Sequence, residues 1–241
     1  MSRLIVIGGG ISGLAIAYRC RQLAPETEIL LLEKSSRPGG TVWTERRDGF
    51  QVEVGPNGFL DNNPATKELC GELGLASQLI SASAAAGRNR YLFLEGKLRL
   101  LPSGLGAFLR SDLLSWKGKL QFLAEPFRGR RRESGDESVA DFAHRRAGAE
   151  VAEVFADALV TGIHAGDPSL LSMRAAFPRV ANLEEQYGSV LKGFVRSARQ
   201  RRAEAQARGE PYQRGSRLWS LRPGLRLLIE SLQDHLRTPP L

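Results

Sequence analysis

Three glycines that follow a short apolar run near the start of the chain restrict what this region can fold into. The run is Leu4 to Ile7, and Gly8, Gly10 and Gly13 then form the pattern G-x-G-x-x-G. A short run of this kind is typical of a strand buried on both faces of a parallel sheet. The glycines allow a tight turn, a close approach of the backbone to a pyrophosphate, and close packing of the next helix. The pattern predicts a dinucleotide-binding turn.

The residues after these glycines continue the pattern. Leu14 to Leu23 predicts a helix whose free N–H groups and positive dipole end face the phosphates. Ile29 to Leu32 predicts a second strand, and Glu33 follows it, 20 positions after Gly13. A carboxylate at that place can accept hydrogen bonds from a ribose diol. Because a glycine motif alone is a weak signal, the prediction of dinucleotide binding depends on the whole succession of strand, helix, strand and acid.

A secretory signal peptide is the competing interpretation of this segment. Arg3 precedes an apolar stretch that closes on Ala15-Ile16-Ala17, which has the look of a cleavage site. Four glycines inside the stretch argue against an apolar signal core, and a signal peptide does not account for Glu33. The sequence therefore favours a folded nucleotide-binding unit.

The composition suits a chain that buries a sizeable core. Its 241 residues are 42% hydrophobic, enough for one large or two smaller domains. The net charge is +8, and the excess of positive charge is local. It lies in Arg128, Arg130, Arg131 and Arg132, and then in Lys192, Arg196, Arg199, Arg201, Arg202 and Arg208. Such runs are most often solvated faces, an anionic membrane surface comes next, and nucleic acid is the weakest candidate, so no nucleic-acid partner is expected.

Cysteine and histidine usage gives no sign of a metal site. Cys20 and Cys70 are the only cysteines, which suggests neither a disulfide framework nor a thiolate site and fits a reduced cytoplasm. His144, His164 and His235 are scattered without ligand spacing. No apolar run approaches the roughly 18 residues of a membrane-spanning helix, so any membrane contact is expected to be peripheral.

The rest of the chain predicts a hairpin, a block of helices and a final strand and helix. Tyr91 to Leu101 alternates around a glycine turn, which predicts the hairpin. Ser115 predicts an N-cap. The predicted helices are Ala65 to Leu73, Leu105 to Leu109, Ser115 to Phe122, Val139 to Arg145, Ala149 to Leu159, Leu183 to Arg208 and the amphipathic Leu225 to Leu236, and Leu218 to Leu221 is the predicted strand.

Two more glycine turns distinguish this chain from an ordinary nicotinamide domain. Pro38-Gly39-Gly40 follows Glu33, and Gly55-Pro56-Asn57 comes next, where a nicotinamide domain continues with strands and helices. With the first motif, they resemble the FAD-binding half of the flavin amine oxidase superfamily. Later motifs resemble those of the protoporphyrinogen and coproporphyrinogen oxidases of haem synthesis, and the resemblance spans nearly the whole chain. These motifs are Asn89 to Phe93, Leu101 to Leu105, Gly162 to Pro168, Leu171 to Ala175 and Trp219 to Arg222.

This resemblance implies an α/β fold, a Rossmann-like FAD-binding domain with a helical insertion, and a C-terminal half that is missing from this chain. Residues 1–84 are expected to form the first part of the FAD-binding domain, residues 85–210 a hairpin and helical insertion for substrate and membrane contact, and residues 211–241 a truncated return segment. A cluster in the insertion could contact a membrane, although each member taken singly is more often helix core. The cluster is Leu105, Phe108, Leu109, Leu113, Leu114 and Trp116.

The resemblance also implies site residues. The cofactor-binding candidates are Gly8, Gly10, Ile11, Ser12, Gly13, Glu33, Lys34, Gly39, Gly40, Thr41, Gly55, Pro56 and Asn57. Arg90 matches an arginine that faces a substrate propionate, which suits its planar fork of donors, and its alternative is a surface arginine at a strand end. Gly162 matches a position at the substrate cavity, and its alternative is a helix-terminating glycine. Relatives carry a glycine pair where this chain has Pro223-Gly224, which removes one N–H near the cofactor.

The function implied is FAD-dependent oxidation of a porphyrinogen, with molecular oxygen as acceptor and no catalytic side chain or metal. A peripheral membrane surface and a homodimer are further partners that the resemblance allows, in the cytoplasm or on the cytoplasmic membrane. Two alternatives stay open. One is another flavin amine oxidase relative that acts on an amine or a carotenoid, and the other is an inactive, truncated FAD-fold or tetrapyrrole-binding chain.

Overall fold

The computed structural model of the chain describes residues 2–83, 85–86, 89–129, 135–209 and 216–237. The chain divides into two compact units. Unit 1 comprises residues 1–84 and 215–241, and unit 2 comprises residues 85–214. The chain therefore begins in unit 1, forms unit 2, and then returns to unit 1.

Strands and helices mix in unit 1, whereas helices dominate unit 2. Unit 1 contains β1 (Arg3–Ile7), α1 (Ile11–Leu23), β2 (Glu28–Leu32), β3 (Thr44–Arg47), β4 (Phe50–Glu53), β5 (Phe59–Leu60), α2 (Ala65–Glu72), β6 (Leu79–Ser81), β9 (Leu218–Leu221) and α10 (Arg226–Arg237). Unit 2 contains β7 (Tyr91–Leu94), β8 (Lys97–Leu100), α3 (Leu105–Arg110), α4 (Trp116–Leu123), α5 (Val139–Ala147), α6, α7 (Met173–Ala176), α8 (Pro178–Tyr187) and α9 (Val190–Ala207). Helix α6 runs through Ala149–Val151, a π-helical turn at Ala152–Ala156, and Asp157–His164.

The first motif folds as predicted. Strands β1 and β2 pair in parallel, and α1 connects them. The register places Leu4 beside Ile29 and Val6 beside Leu31. Val6 is buried, and Leu31 packs against the core of the unit, so α1 and its neighbours cover this face of the pair.

The core of unit 1 forms where helices α1, α2 and α10 meet a second sheet. That sheet has the order β5-β9-β6, with β9 antiparallel to both neighbours, and β3 pairs with β4 in a hairpin. The buried core residues are Leu14, Tyr18, Val42, Leu69, Cys70, Leu73, Leu75, Leu221, Leu225, Leu228, Ile229 and Leu232. Fully burying one such aliphatic side chain stabilises a fold by about 1.5 to 3 kcal/mol. The amphipathic pattern of the last helix is therefore what ties residues 216–237 to the first motif.

Unit 2 combines two apolar clusters with a buried ionic cluster. The predicted hairpin forms as β7 and β8, and the predicted N-cap forms as the Ser115 hydroxyl accepts a 3.1 Å hydrogen bond from the N–H of Gly118. The ionic cluster centres on Glu125, whose carboxylate binds the guanidinium of Arg146, the hydroxyl of Ser189 at 2.5 Å and the N–H of Val190 at 2.9 Å. Glu125 and Arg146 are almost fully buried, and the ion pair between them offsets part of the cost of removing both charges from water.

The prediction of one helix over Leu183 to Arg208 is wrong. The segment divides into the end of α8 and the whole of α9, because Gly188 adopts a left-handed conformation (φ 72°) that ends α8. Ser189 then caps α9, accepting a 3.1 Å hydrogen bond from the N–H of Lys192. Glycine and serine are common stop and start signals of helices, so this boundary can be recognised in the sequence.

Candidate functional site

The glycine turn after β1 has two positions that only glycine fits and one that faces open space. Gly8 has φ 101°, and its N–H donates a 2.7 Å hydrogen bond to the carbonyl oxygen of Leu32. A Cβ atom at Gly13 would lie 1.9 Å from the carbonyl oxygen of Gly8, so no side chain fits there. A Cβ atom at Gly10 would meet nothing within 4 Å. The fold itself requires Gly8 and Gly13, whereas the bare surface at Gly10 leaves room for a ligand against the backbone.

Helix α1 starts directly behind this open space. Gly10 is its N-cap, no side chain caps it, and its first turn holds no acidic residue. The N–H groups of Ile11, Ser12 and Gly13 lie in this first turn, where a helix offers no carbonyl partner. Their donors and the positive end of the helix dipole are suited to a pyrophosphate.

Glu33 holds the end of β2 against the glycine turn. Its carboxylate accepts a 2.7 Å hydrogen bond from the N–H of Gly9 and a 2.8 Å hydrogen bond from the N–H of Ser35. The bonds from Ser35 and Gly9 lower the pKa of Glu33 below its ordinary value, so the side chain is ionised near neutral pH. Since an ionised carboxylate has about four acceptor sites, capacity remains for a ribose hydroxyl.

The Pro38-Gly39-Gly40 turn lies against the glycine turn. The N–H of Gly39 donates a 2.7 Å hydrogen bond to the carbonyl oxygen of Gly9. Gly39 and Gly40 have φ values of 108° and 58°, which a residue with a side chain rarely adopts. A Cβ atom at Gly40 would lie 3.4 Å from the Cα atom of Gly10. Two glycine-rich segments that are 30 positions apart in the sequence therefore share one surface.

The remaining cofactor candidates lie on neighbouring loops. A Cβ atom at Gly55 would lie 1.9 Å from the carbonyl oxygen of Thr41, which brings the Gly55 turn against the chain after Gly40. The other cofactor candidates are all exposed residues of unit 1. They are Lys34, Thr41, Pro56 and Asn57.

Sequence reasoning missed two polar residues whose side chains accept hydrogen bonds from backbone N–H groups at the N-terminus of α10. The hydroxyl of Thr44 accepts a 3.0 Å hydrogen bond from the N–H of Arg226, and the carboxylate of Glu53 accepts one of 3.1 Å from the N–H of Leu225. The same hydroxyl donates to Glu53 at 2.8 Å. Gly224 has φ 102°, and a Cβ atom there would lie 2.3 Å from the Thr44 side chain. The N–H groups that follow Pro223-Gly224 are therefore bonded within the protein.

Arg90 stands at the start of the hairpin in unit 2. Its carbonyl oxygen accepts a 2.7 Å hydrogen bond from the N–H of Leu101, which closes the open end of the β7–β8 pair. The residue is exposed, and within the described parts of the chain its guanidinium has neither a hydrogen bond nor an ion pair. This side chain is free to receive an anionic ligand.

Gly162 lies inside helix α6, so its interpretation as a helix-terminating glycine is wrong. The helix continues to His164 and ends at Ala165, which adopts a left-handed conformation with φ 49°. Gly162 is exposed, and a Cβ atom there would meet nothing within 4 Å. Leu159 and Ile163 are exposed beside it, and the π-helical turn at Ala152–Ala156 ends six positions before it. Such turns occur often at functional sites.

The structure divides the cluster suggested for membrane contact. Phe108, Leu113 and Leu114 are buried, as the helix-core alternative predicts, whereas Leu105 and Trp116 are 62% and 67% exposed. Among the described helices, none has the length and hydropathy of a membrane span. The described residues also contain no group of three or more acidic, histidine or cysteine side chains placed to hold a metal ion.

The comparisons with known proteins agree with this geometry. The family model of flavin containing amine oxidoreductase matches residues 11–239. The chain is 36% identical to human protoporphyrinogen oxidase over 97% of its own length and 50% of that protein. It is 30% identical to coproporphyrinogen III oxidase of Staphylococcus aureus over 96% of its length and 51% of that protein. The chain thus spans about half the length of these relatives.

Solved structures agree on the fold. A crystal structure from Exiguobacterium sp. 255-15, named only provisionally as a protoporphyrinogen oxidase, is 27% identical with a TM-score of 0.74, over 98% of this chain and 51% of that chain. Cyclohexylamine oxidase from Brevibacterium oxydans is 17% identical with a TM-score of 0.62, over 98% of this chain and 49% of that chain, which concerns the fold alone. The predicted fold class, an FAD-binding fold of the flavin amine oxidase type, is confirmed. The chain belongs to the family of flavin containing amine oxidoreductases.

Proposed function

We propose that this chain supplies the N-terminal half of an FAD-dependent oxidase of porphyrinogens, protoporphyrinogen IX or coproporphyrinogen III, with molecular oxygen as electron acceptor. The observation that carries the proposal is the identity of 30% to 37% to porphyrinogen oxidases along nearly the whole chain. The cradle in unit 1, formed by the turn from Gly8 to Gly13, the start of α1, Glu33 and the Gly39-Gly40 turn, is consistent with it. The family implies a flavin, and the choice of FAD over other flavins rests on the dinucleotide features of the cradle.

The pyrophosphate and the adenosine ribose of FAD would be held by different residues of unit 1. The start of α1 has no side-chain cap, and open space faces Gly10, so the backbone N–H groups there would bind the pyrophosphate. The ionised carboxylate of Glu33, held in place by the N–H of Gly9, would accept a hydrogen bond from a ribose hydroxyl. The backbone of Gly40, beside Gly10, leaves space for the cofactor to lie along both glycine turns. When bound, the flavin supplies the redox chemistry, taking electrons from the substrate and passing them to oxygen.

Two residues of unit 2 are proposed to bind the substrate. The free, exposed guanidinium of Arg90 would bind a propionate with a paired hydrogen bond. The open face of α6 at Gly162, flanked by the exposed Leu159 and Ile163, would accept the tetrapyrrole macrocycle where a side chain would obstruct it. The exposed Leu105 and Trp116 support peripheral contact with the cytoplasmic membrane as a further proposal.

A fused protein tests this function. Residues 1–241 are joined to the C-terminal half of the Staphylococcus aureus coproporphyrinogen III oxidase and assayed with protoporphyrinogen IX, coproporphyrinogen III and cyclohexylamine under air. We expect FAD-dependent formation of a fluorescent porphyrin with concurrent oxygen uptake, and no turnover of the amine. The relative's half alone is the control. Oxidation of the amine but neither porphyrinogen would overturn the proposal.

A further inference from the structure

Two guanidinium groups lie over the ring of Trp43 in unit 1. The Cζ atom of Arg37 is 4.0 Å from the centroid of the ring, and the Cζ atom of Arg226 is 4.1 Å from it. Both distances are well inside the roughly 6 Å at which a cation is attracted to an aromatic face. All three residues are partly buried, so water screens the two contacts less than it would on an open surface. Arg37, Trp43 and Arg226 are called here the Trp43 cluster.

The first of the two cations belongs to the loop that contains the Gly39-Gly40 turn. Arg37 precedes the turn and Trp43 follows it, so the contact between their side chains closes the loop. The guanidinium of Arg37 also donates a 3.3 Å hydrogen bond to the carbonyl oxygen of Gly40. Inside the loop, the N–H of Val42 donates a 3.0 Å hydrogen bond to the carbonyl oxygen of Gly39. The side chain of Arg37 therefore contacts both the turn and the residue at which the loop ends.

The second cation belongs to helix α10. Arg226 is the first residue of this helix, and its N–H donates a 3.0 Å hydrogen bond to the hydroxyl of Thr44, which follows Trp43 in the chain. The Gly39-Gly40 turn meets the same helix, because a Cβ atom at Gly39 would lie 3.1 Å from the side chain of Ile229. Helix α10 thus contacts the loop at two points, one of which is the ring of Trp43.

These contacts bear on the proposed cofactor site because the loop forms one wall of it. Gly40 lies against the turn that follows β1, and the N–H of Gly39 bonds to a carbonyl oxygen there. Both glycines have positive φ values, and neither has a side chain that could pack the turn in place. Glycine also loses more conformational freedom on ordering than any other residue. The order of the turn must therefore come from its neighbours, which are Arg37 and Trp43.

We infer that the Trp43 cluster positions the FAD site by holding the Gly39-Gly40 turn in its binding shape before the cofactor arrives. An ordered turn loses less conformational entropy on binding than a loose one, so the affinity for FAD is higher. None of the three side chains needs to touch the cofactor. The inference rests on the proposed function for the identity of the cofactor, but it does not depend on the substrate.

The test titrates the fused protein, prepared without cofactor, with FAD and follows the flavin fluorescence. Trp43→Leu removes both cation–π contacts, whereas Trp43→Phe keeps a weaker aromatic face in a side chain of similar apolar size. We expect the Kd for FAD to rise about tenfold in Trp43→Leu and about twofold in Trp43→Phe. Arg226→Gln should raise the Kd about threefold in the wild-type background and should add nothing to Trp43→Leu.

Lys67→Gln is the matched control. It removes a cation–π contact of 4.1 Å between Lys67 and Trp219, which joins α2 to β9 in the same unit and does not involve the loop. The Kd for FAD should stay at the wild-type value. Hydrogen exchange of the amides of Gly39 and Val42, measured without FAD, is the second readout. It should become faster in Trp43→Leu and Arg226→Gln and stay unchanged in Lys67→Gln.

The same measurements can overturn the inference. Equal losses of affinity in Trp43→Leu and Trp43→Phe would assign Trp43 a role in apolar packing alone, and a loss of the same size in Lys67→Gln would indicate general destabilisation. Unchanged exchange at Gly39 and Val42 would show that the turn does not depend on the cluster. Arg226→Gln decides the question if Trp43→Leu fails to fold. A wild-type fused protein that binds no FAD would refute the proposed cofactor, and the inference with it.

Discussion

The carboxylate of Glu33 accepts a 2.7 Å hydrogen bond from the backbone N–H of Gly9, which fixes the end of β2 against the turn that follows β1. Its second oxygen accepts from Ser35, so one side chain organises both segments that would surround a ribose. The geometry shows that Glu33 shapes the turn, and the proposed function gives it a second task, to bind the ribose of the cofactor. Both are lost when the carboxylate is removed.

We therefore expect Glu33→Ala to weaken FAD binding about tenfold or more, the scale of a lost charge-assisted hydrogen bond. Glu28→Ala removes a carboxylate from the same strand, away from the turn, and should leave the affinity unchanged. Fluorescence titration of the fused protein with FAD measures the effect. Full flavin affinity in the Glu33 variant would contradict the assignment.

The unfused chain should hold FAD poorly and show no oxidase activity. Its β1–β2 sheet has open edges in the described chain, and one face of it is exposed, so the cradle lacks support that a parallel sheet normally has. FAD stoichiometry after gel filtration and a porphyrinogen assay measure this. Stoichiometric FAD together with turnover would show this expectation to be wrong.

Arg90→Ala should raise the KM of the fused enzyme for a porphyrinogen, with little change in kcat and flavin content, because the proposed contact is to substrate alone. The effect should be larger for the tetracarboxylate coproporphyrinogen III than for the dicarboxylate protoporphyrinogen IX. Arg110→Ala, an exposed arginine at the end of α3, is the control. Kinetics that stay unchanged for both substrates would exclude a role for Arg90 in propionate binding.

Gly162→Ala should separate stability from activity. Alanine inside a helix with open space around it stabilises by about 0.5 to 1 kcal/mol relative to glycine. The added methyl group should nevertheless lower porphyrinogen turnover if the face at Gly162 receives the macrocycle. Gly106→Ala, in α3 and also facing open space, should leave turnover unchanged. Thermal unfolding and steady-state assays report the two effects, and a more stable, fully active Gly162 variant would refute the substrate contact.

Glu125 makes unit 2 sensitive to acid. Burial raises its pKa, but hydrogen bonds from Ser189, Val190 and Arg146 outweigh burial and hold the pKa below the ordinary value of 4.5. A carboxyl whose pKa is lower in the folded state contributes stability above its unfolded pKa, and this contribution is lost as the pH falls through the folded pKa. Unit 2 should therefore lose stability as the pH falls below about 4.5.

Glu125→Gln should destabilise unit 2 by about 3 kcal/mol at neutral pH, because Arg146 loses the closer of two buried carboxylate partners and keeps only Glu184, at 3.4 Å. It should also flatten the loss of stability in acid. Hydrogen exchange of the amides at the start of α9 reports on this region directly, since Val190 donates to Glu125. The control is Glu185→Gln, because the ion pair of Glu185 with Arg174 is exposed. Equal exchange in the two variants would contradict the role given to the buried pair.

The sequence allowed prediction of those parts of unit 1 that depend on local signals. Strands β1 and β2, helix α1 and the position of Glu33 follow from the spacing of apolar residues, glycines and one acid within 33 positions. The same holds for the β7–β8 hairpin and for the cap at Ser115. Each of these features is decided by residues close together in the chain, so no tertiary information was needed.

What the sequence did not reveal depends on distant contacts or on weighing competing signals. Asp48-Gly49, with positive φ at both residues, is a recognisable hairpin turn, and Phe50 to Val54 alternates apolar and polar residues. The β3–β4 hairpin was nevertheless not predicted, because Thr44 to Arg47 is polar throughout and gives no strand signal. The hydrogen bond between Glu53 and Leu225 joins residues 172 positions apart, which no local pattern contains. The sequence left a helix-terminating role open for Gly162, because a glycine near a helix end and a glycine inside a helix look alike in sequence.

The first part of unit 1 depends on residues that are made last. Thr44 and Glu53 bond to the start of α10, and β9 lies between β5 and β6. The ribosome completes all of unit 2 before it makes residues 218–237, on which the first 84 residues depend. Contacts of such long range form late. We therefore expect unit 2 to fold first during translation. The amino-terminal segment should stay incompletely folded and accessible to chaperones until β9 and α10 have been synthesised.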